Sequence, residues 1–216
     1  WKVDPAGNQL PYTDSLRFQI IRDTQVILLK FINGEIDIFG RYSRHDMYPT
    51  LKSEEARGTF RVGQAGPGEG PAFYLNWDAE DERVRLAFRD LRVRQALSFG
   101  LDREELNQIL YYGMLVPAGY TIGPQSKYYS EEAAQLYSAF DPDRARALLD
   151  EAGYVDRDGD GWREFKDGST FAFKVDVVAP GMWADICQLV AEQWAGIGLR
   201  VVVNGAMRDL IWPRRD

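Results

Sequence analysis

Three aspartates at alternate positions, Asp156, Asp158 and Asp160, stand in the run DRDGDGWRE (156–164). Carboxylates so closely spaced repel, and a hard, oxygen-liganded cation between them relieves that repulsion. Laid on an EF-hand calcium loop, they take the first, third and fifth positions, and Gly161 takes the sharp turn. Trp162 offers its carbonyl, Glu164 acts directly or through water, and Asp167 takes the last ligand position. The second half fits poorly. Arg163 stands where an apolar residue is usual, and Asp167 is one carbon shorter than the bidentate glutamate expected there. The residues that follow read as a strand, not as an exiting helix. Asp and Gly also suit the dihedrals of a tight reversal. A structural turn is therefore the first reading, with calcium on Asp156, Asp158 and Asp160 as the alternative.

Other chemistry is sparse. The chain has one histidine, His45, and one cysteine, Cys187. Zinc therefore has no ligand set, and neither a hydrolase elbow nor a Walker-type phosphate loop is present. Cys187 falls within an amphipathic pattern and reads as a small core residue. GPGEG (66–70) precedes an expected strand, so no helix N-terminus is available there for a phosphate. A carboxylate-based hydrolase would need pairs such as Glu104/Glu105 or Asp158/Asp160. These lie in solvated, charge-rich runs, where no apolar pocket raises a carboxyl pKa for general-acid work. No enzyme is expected.

The elements that hold these residues follow from pattern. SLRFQII (15–21), IDIF (36–39), TFRV (59–62) and FYLNW (73–77) read as strands, as do 170–179 and LRVVVN (199–204). Helices are expected over 23–35 from Asp23 to Gly34, and around Pro49. Two more are expected within 90–113, the second capped by Asp102, and another over 141–154. In the last of these Asp141 is the cap, Pro142 the first residue and Gly153 the stop. A further helix from Met182 to Ala195 carries Ile186, Leu189, Val190 and Trp194 on one face. Strands separated by helices predict an α/β fold.

With 216 residues, 45% hydrophobic and 27% charged, the chain has the composition of a folded protein. Its net charge of −7 disfavours nucleic acid and anionic membrane surfaces. No apolar run reaches the roughly 18–20 residues of a membrane span. The chain opens on Trp1-Lys2-Val3, which reads as a processed or excised piece.

Several stretches together resemble one family. DLRVRQALS (90–98) followed by LDREEL (101–106) is similar to its D-x-R-V-R-Q-A-L…D-R-E segment. INGEIDIF (32–39) resembles its G-E-I-D segment, and FYLNWD (73–78) its Asn-bearing strand. GMLVPAGYTIGP (113–124) resembles its G-x-x-x-P-A loop, and FDPDRARALLDEAGYVDRDGDGWRE (140–164) its helix followed by a D-G-D-G turn. LVAEQWAGIGLRVVV (189–203) is similar to its last helix–strand step. The family is the extracellular solute-binding proteins of peptide/nickel ABC transporters, of the oligopeptide- and dipeptide-binding type (family 5).

The resemblance implies the second lobe of a type II periplasmic-binding-protein-like fold, a mixed sheet flanked by helices. It implies a single α/β lobe over 1–216, with the first lobe and the final hinge segments outside the sequence. It also implies a peptide or similar small solute as ligand, the permease subunits of an importer as partners, and a periplasmic or extracellular location. Membrane contact would come only through the permease or through a lipid anchor outside 1–216. No cofactor is implied, and a calcium-stabilised structural module remains a competing reading. Ligands of α/β lobes sit beyond strand ends. Tyr74, Asn76, Trp77, Tyr120 and Trp183 are accordingly the candidate ligand-binding residues, since aromatic rings with polar tips suit varied solutes.

Overall fold

The computed structural model describes residues 2–40, 43–63, 71–119 and 122–214. The chain groups into two compact units, Trp1–Gly63 and Gln64–Asp216.

In the first unit, helix α1 (Thr24–Ile32) begins where the Asp23 carboxylate accepts the N–H groups of Gln25 (2.8 Å) and Val26 (3.1 Å). It ends at Asn33, ahead of the left-handed Gly34 (φ +76°). A single 3₁₀ turn, His45–Met47, leads into α2 (Tyr48–Glu54), with Pro49 in its first turn, where no N–H is needed. Leu28, Met47 and Leu51 are buried together, and Phe31, Phe39 and Phe60 pack around them. The Phe31 ring lies 4.7 Å from that of Phe60 and 5.7 Å from that of Phe39.

The second unit opens with two short helices in series, α3 (Glu82–Arg89) and α4 (Leu91–Phe99). Asp81 caps the first and Asp90 the second, each accepting the N–H two residues on at 2.9 Å. Helix α3 was not foreseen, although Val84, Ala87 and Phe88, all buried, stand at helical spacing. Helix α5 (Arg103–Tyr111) is capped by Asp102, and the short α6 (Glu131–Gln135) by Ser130. Helix α7 (Pro142–Glu151) starts on Asp141, which accepts from the Arg144 N–H at 2.8 Å, and packs along α4. The remaining chain forms a β–α–β unit: β1 (Ala172–Val178), α8 (Met182–Ala195) and β2 (Arg200–Ala206). The strands pair in parallel, with Phe173 opposite Val201 and Val175 opposite Val203. A four-residue helix, α9 (Arg208–Ile211), follows β2 and packs against β1.

Strand alternation sends Phe173, Val175, Val177 and Val201 to one face. The core beneath it contains Ile186, Val190 and Trp194 of α8, Val93 and Leu97 of α4, and Leu149 of α7. The Trp194 indole is buried and donates to the Leu97 carbonyl at 2.8 Å. Phe165, Phe171 and Tyr154 form an aromatic group at one side, with Phe165 and Phe171 centroids 4.4 Å apart.

Mixed α/β architecture is as expected, but four expected strands are not formed. Residues 15–21, 36–39, 59–62 and 73–77 have no ladder partner among the described residues. Alternating apolar side chains make a segment suited to a sheet, yet a strand also needs a second edge to receive its N–H and C=O groups. Leu16, Phe18 and Ile20 consequently stand 72, 85 and 99% exposed.

Candidate functional site

Residues 71–76 run extended against the core, and alternation sorts their side chains. Phe73 and Leu75 turn inward, the Phe73 ring lying 5.3 Å from Trp194. Tyr74 and Asn76 turn outward, and Tyr74 is 82% exposed. The Asn76 amide oxygen accepts the N–H of Asp78 at 2.9 Å, so it closes the turn that ends the segment. Trp77 sits in that turn, half-exposed, with the Arg94 guanidinium 4.9 Å from its ring centroid. Arg94 is itself held by the carbonyls of Phe88 (3.0 Å) and Arg89 (2.7 Å) at the end of α3. Arg94 thereby fixes the indole by cation–π stacking. Tyr74, Asn76 and Trp77 are thus brought together on one exposed stretch. Tyr120 lies outside the described residues, as do its neighbour Thr121 and the GPGEG run.

Trp183 belongs to a different edge. The chain leaves β1 through Ala179, Pro180 and Gly181 (φ +140°) and enters α8, placing Trp183 in the first turn, 49% exposed. This is the C-terminal end of the parallel pair, the position at which open α/β sheets bind ligands. The chain leaves β2 at the same end, and Met207, Arg208 and Trp212 follow directly. None of those three was among the residues singled out from the sequence. Their signal was available, since they follow β2 as Trp183 follows β1, but it depends on knowing that the strands are parallel neighbours.

The acidic loop is built differently from the calcium template. Asp156 spends both oxygens on backbone donors, Gly159 N–H at 2.7 Å and Gly161 N–H at 2.9 Å. Asp158 accepts from Asp160 N–H at 3.1 Å, and Asp160 from Trp162 N–H at 2.8 Å. The acidic group that converges among the described residues is Asp156, Asp158 and Glu164, with one oxygen from each lying within 4.8 Å of the others. Asp160 is outside it. Glu164 is buried, and both its oxygens accept the Arg157 N–H (3.1 and 3.0 Å), while the Arg157 guanidinium approaches at 3.2 Å. The Arg157 guanidinium therefore stands beside one of the three carboxylates, that of Glu164. Asp167, expected at the last ligand position, instead accepts from Ser169 and Arg83. Glu164 and Thr170 bridge in antiparallel fashion, so a hairpin-like reversal follows where a helix would exit.

The remaining candidates have structural partners. Glu105 accepts from the Gln193 amide at 2.8 Å, tying α5 to α8, and Glu104 accepts from Gln108 at 2.8 Å on its own helix. Cys187 is buried in α8, and burial pushes its thiol up to about 11, far from thiolate chemistry.

Comparisons with known proteins bear on what this surface does. The family model described as bacterial extracellular solute-binding proteins, family 5 Middle, matches residues 1–214. A periplasmic alpha-galactoside-binding protein of Rhizobium meliloti is 30% identical over 97% of this chain and 32% of its own length. The oligopeptide-binding protein AppA of Bacillus subtilis is 27% identical over 88% of this chain and 33% of its own. Among solved structures, an oligopeptide-binding protein OppA superposes with a TM-score of 0.74 at 36% identity. It covers 99% of this chain and 35% of that one. The chain thus spans about a third of the length of the curated relatives it matches.

Proposed function

The chain belongs to the bacterial extracellular solute-binding proteins, family 5, and from that membership we propose that it is part of a protein that captures a small solute for an ABC importer. The family match through residues 1–214 carries this reading. The solute is an oligopeptide or a saccharide of comparable size, the two classes named by its relatives. The captor works outside the cytoplasmic membrane, in the periplasm or at the cell surface, and delivers its load to the permease subunits.

No chemical step is required of it. Tyr74, Asn76 and Trp77 on one exposed stretch, and Trp183 at the C-terminal end of the strand pair, are its candidate ligand contacts, with Tyr120 a candidate on its sequence alone. Exposed rings suit that work because they offer apolar area at little conformational cost. The acidic loop serves as a self-satisfied turn rather than as a metal site.

Titration calorimetry of the full-length protein against panels of oligopeptides and neutral oligosaccharides tests the proposal. Saturable binding with the solute recovered unchanged is expected. Turnover of the solute, or no binding by any member of either panel, overturns it.

A further inference from the structure

The chain holds two Asn-Gly pairs, Asn33-Gly34 and Asn204-Gly205. An asparagine before a glycine is open to a reaction of its own backbone, because glycine has no side chain to hinder its nitrogen. That nitrogen attacks the asparagine Cγ and forms a new N–C bond. The Cγ–Nδ2 bond breaks, and the amide leaves as ammonia with the proton that the backbone nitrogen gives up. Water then opens the resulting succinimide at either of its two carbonyls, giving aspartate or isoaspartate. The reaction needs the asparagine side chain free and the glycine nitrogen able to turn towards it.

The two pairs differ in both respects. Asn204 lies within β2, its side-chain amide donates to Asp176, and Gly205 stands opposite Val177 in the parallel ladder. A Cβ placed on Gly205 would lie 2.8 Å from that of Ala179, so this backbone turns only if the strands part. Asn33 and Gly34 are both exposed at the C-terminal end of α1. The Asn33 side chain makes no hydrogen bond among the described residues, and a Cβ on Gly34 would meet nothing within 4 Å. Two backbone bonds close this end: Gly34 N–H to the Phe31 carbonyl (3.0 Å) and Glu35 N–H to the Lys30 carbonyl (2.9 Å). Bonds in the last turn of a helix open at far lower cost than those of a core strand. The core beneath α1 has only three buried members among the described residues, Leu28, Met47 and Leu51.

We propose that Asn33 is a site of spontaneous deamidation in the folded protein, and that the β1–β2 ladder protects Asn204 from the same reaction. The product places a new carboxylate next to Gly34 and near Glu35, at the negative end of the α1 dipole. It also competes with Glu35 for Lys30, which that glutamate now pairs. The modification is independent of solute capture.

The test incubates the full-length protein in mildly alkaline buffer, with and without denaturing urea. Peptide mapping by mass spectrometry follows each asparagine, and enzymatic methylation detects isoaspartate. In the folded protein, Asn33 is expected to convert to aspartate and isoaspartate at least about tenfold faster than Asn204, the ratio set by the difference in opening cost. In urea the two rates should converge, because both pairs then share the same unfolded backbone. Asn33→Gln should abolish the isoaspartate signal from the folded protein. An Asn33 amide that stays intact in the folded protein overturns the proposal. Loss at Asn204 as fast as at Asn33 overturns it too, as does a difference in rate that persists unchanged in urea.

Discussion

The Arg163 N–H donates to the carbonyl of Gly198 at 2.8 Å, and a Cβ placed on Gly198 would lie 3.0 Å from Arg163 Cγ. This close approach joins the reversal after the acidic loop to the turn between α8 and β2. The Arg163 side chain then reaches the carbonyls of Ile197 (2.8 Å), Tyr154 (2.5 Å) and Arg146 (3.3 Å), and the carboxylate of Asp150 (2.5 Å). A buried guanidinium is tolerated here because its donors are matched by acceptors. Gly198 is required twice, by contact and by its φ of +86°.

Gly198→Ala is therefore expected to destabilise the protein by ~1–2 kcal/mol, the cost of a left-handed conformation for an L side chain. Arg163→Ala should cost more, about 3 kcal/mol, by orphaning several buried acceptors at once. Urea denaturation of each variant checks both values; equal, near-zero losses would show that this junction is not a stabilising one.

The acidic loop should be indifferent to calcium. Arg157 supplies the positive charge that Glu164 needs, and the aspartates are occupied by backbone donors. Millimolar calcium or a chelator should move the melting temperature by about one degree or less, whereas Arg157→Ala should lower it clearly. A rise of several degrees on adding calcium would assign the loop to the metal.

Stability should fall in mild acid. The Arg83 guanidinium holds the Asp81 carboxyl at about 2, below its ordinary 3.8, and Arg92 likewise depresses Asp90. A carboxyl depressed in the folded state contributes stability that is fully present above the unfolded value and is lost as pH falls through the folded one. The loss should run from about pH 4 towards pH 2 as both helix caps become protonated. Melting curves across that window test it, and Asp81→Asn, which keeps a cap without the charge, should flatten the slope.

Tyr74→Ala in the full-length protein should separate binding from folding. The side chain is 82% exposed, so truncation should change stability by about 0.5 kcal/mol or less. Solute affinity should fall about tenfold if its ring forms part of the wall. Unchanged affinity would remove Tyr74 from the site.

Much of the local structure was legible because its causes are local. Asp23, Asp102 and Asp141 each precede a helical apolar pattern and each caps a helix, and the span expected for α8 is the span observed. The candidate site was legible only in part. Tyr74, Asn76 and Trp77 could be named as candidates from residue type, but the stacking of Trp77 under Arg94 depends on α4 lying beside that turn. Glu164 looked like a minor ligand in the loop, yet burial and Arg157 made it the central carboxylate.

Caps, periodicity and a series of motifs in order were enough to determine α1, α2, α4, α5, α7 and α8, the two paired strands and the family, because each depends on residues close together in the chain. Whether 15–21 or 73–77 became strands was not determined there, since a ladder needs a second edge. Tertiary structure alone decided that Trp183 and Trp212 stand at the same end of one sheet. Parallel pairing across the α8 crossover sends both strand exits the same way, and no local pattern records that.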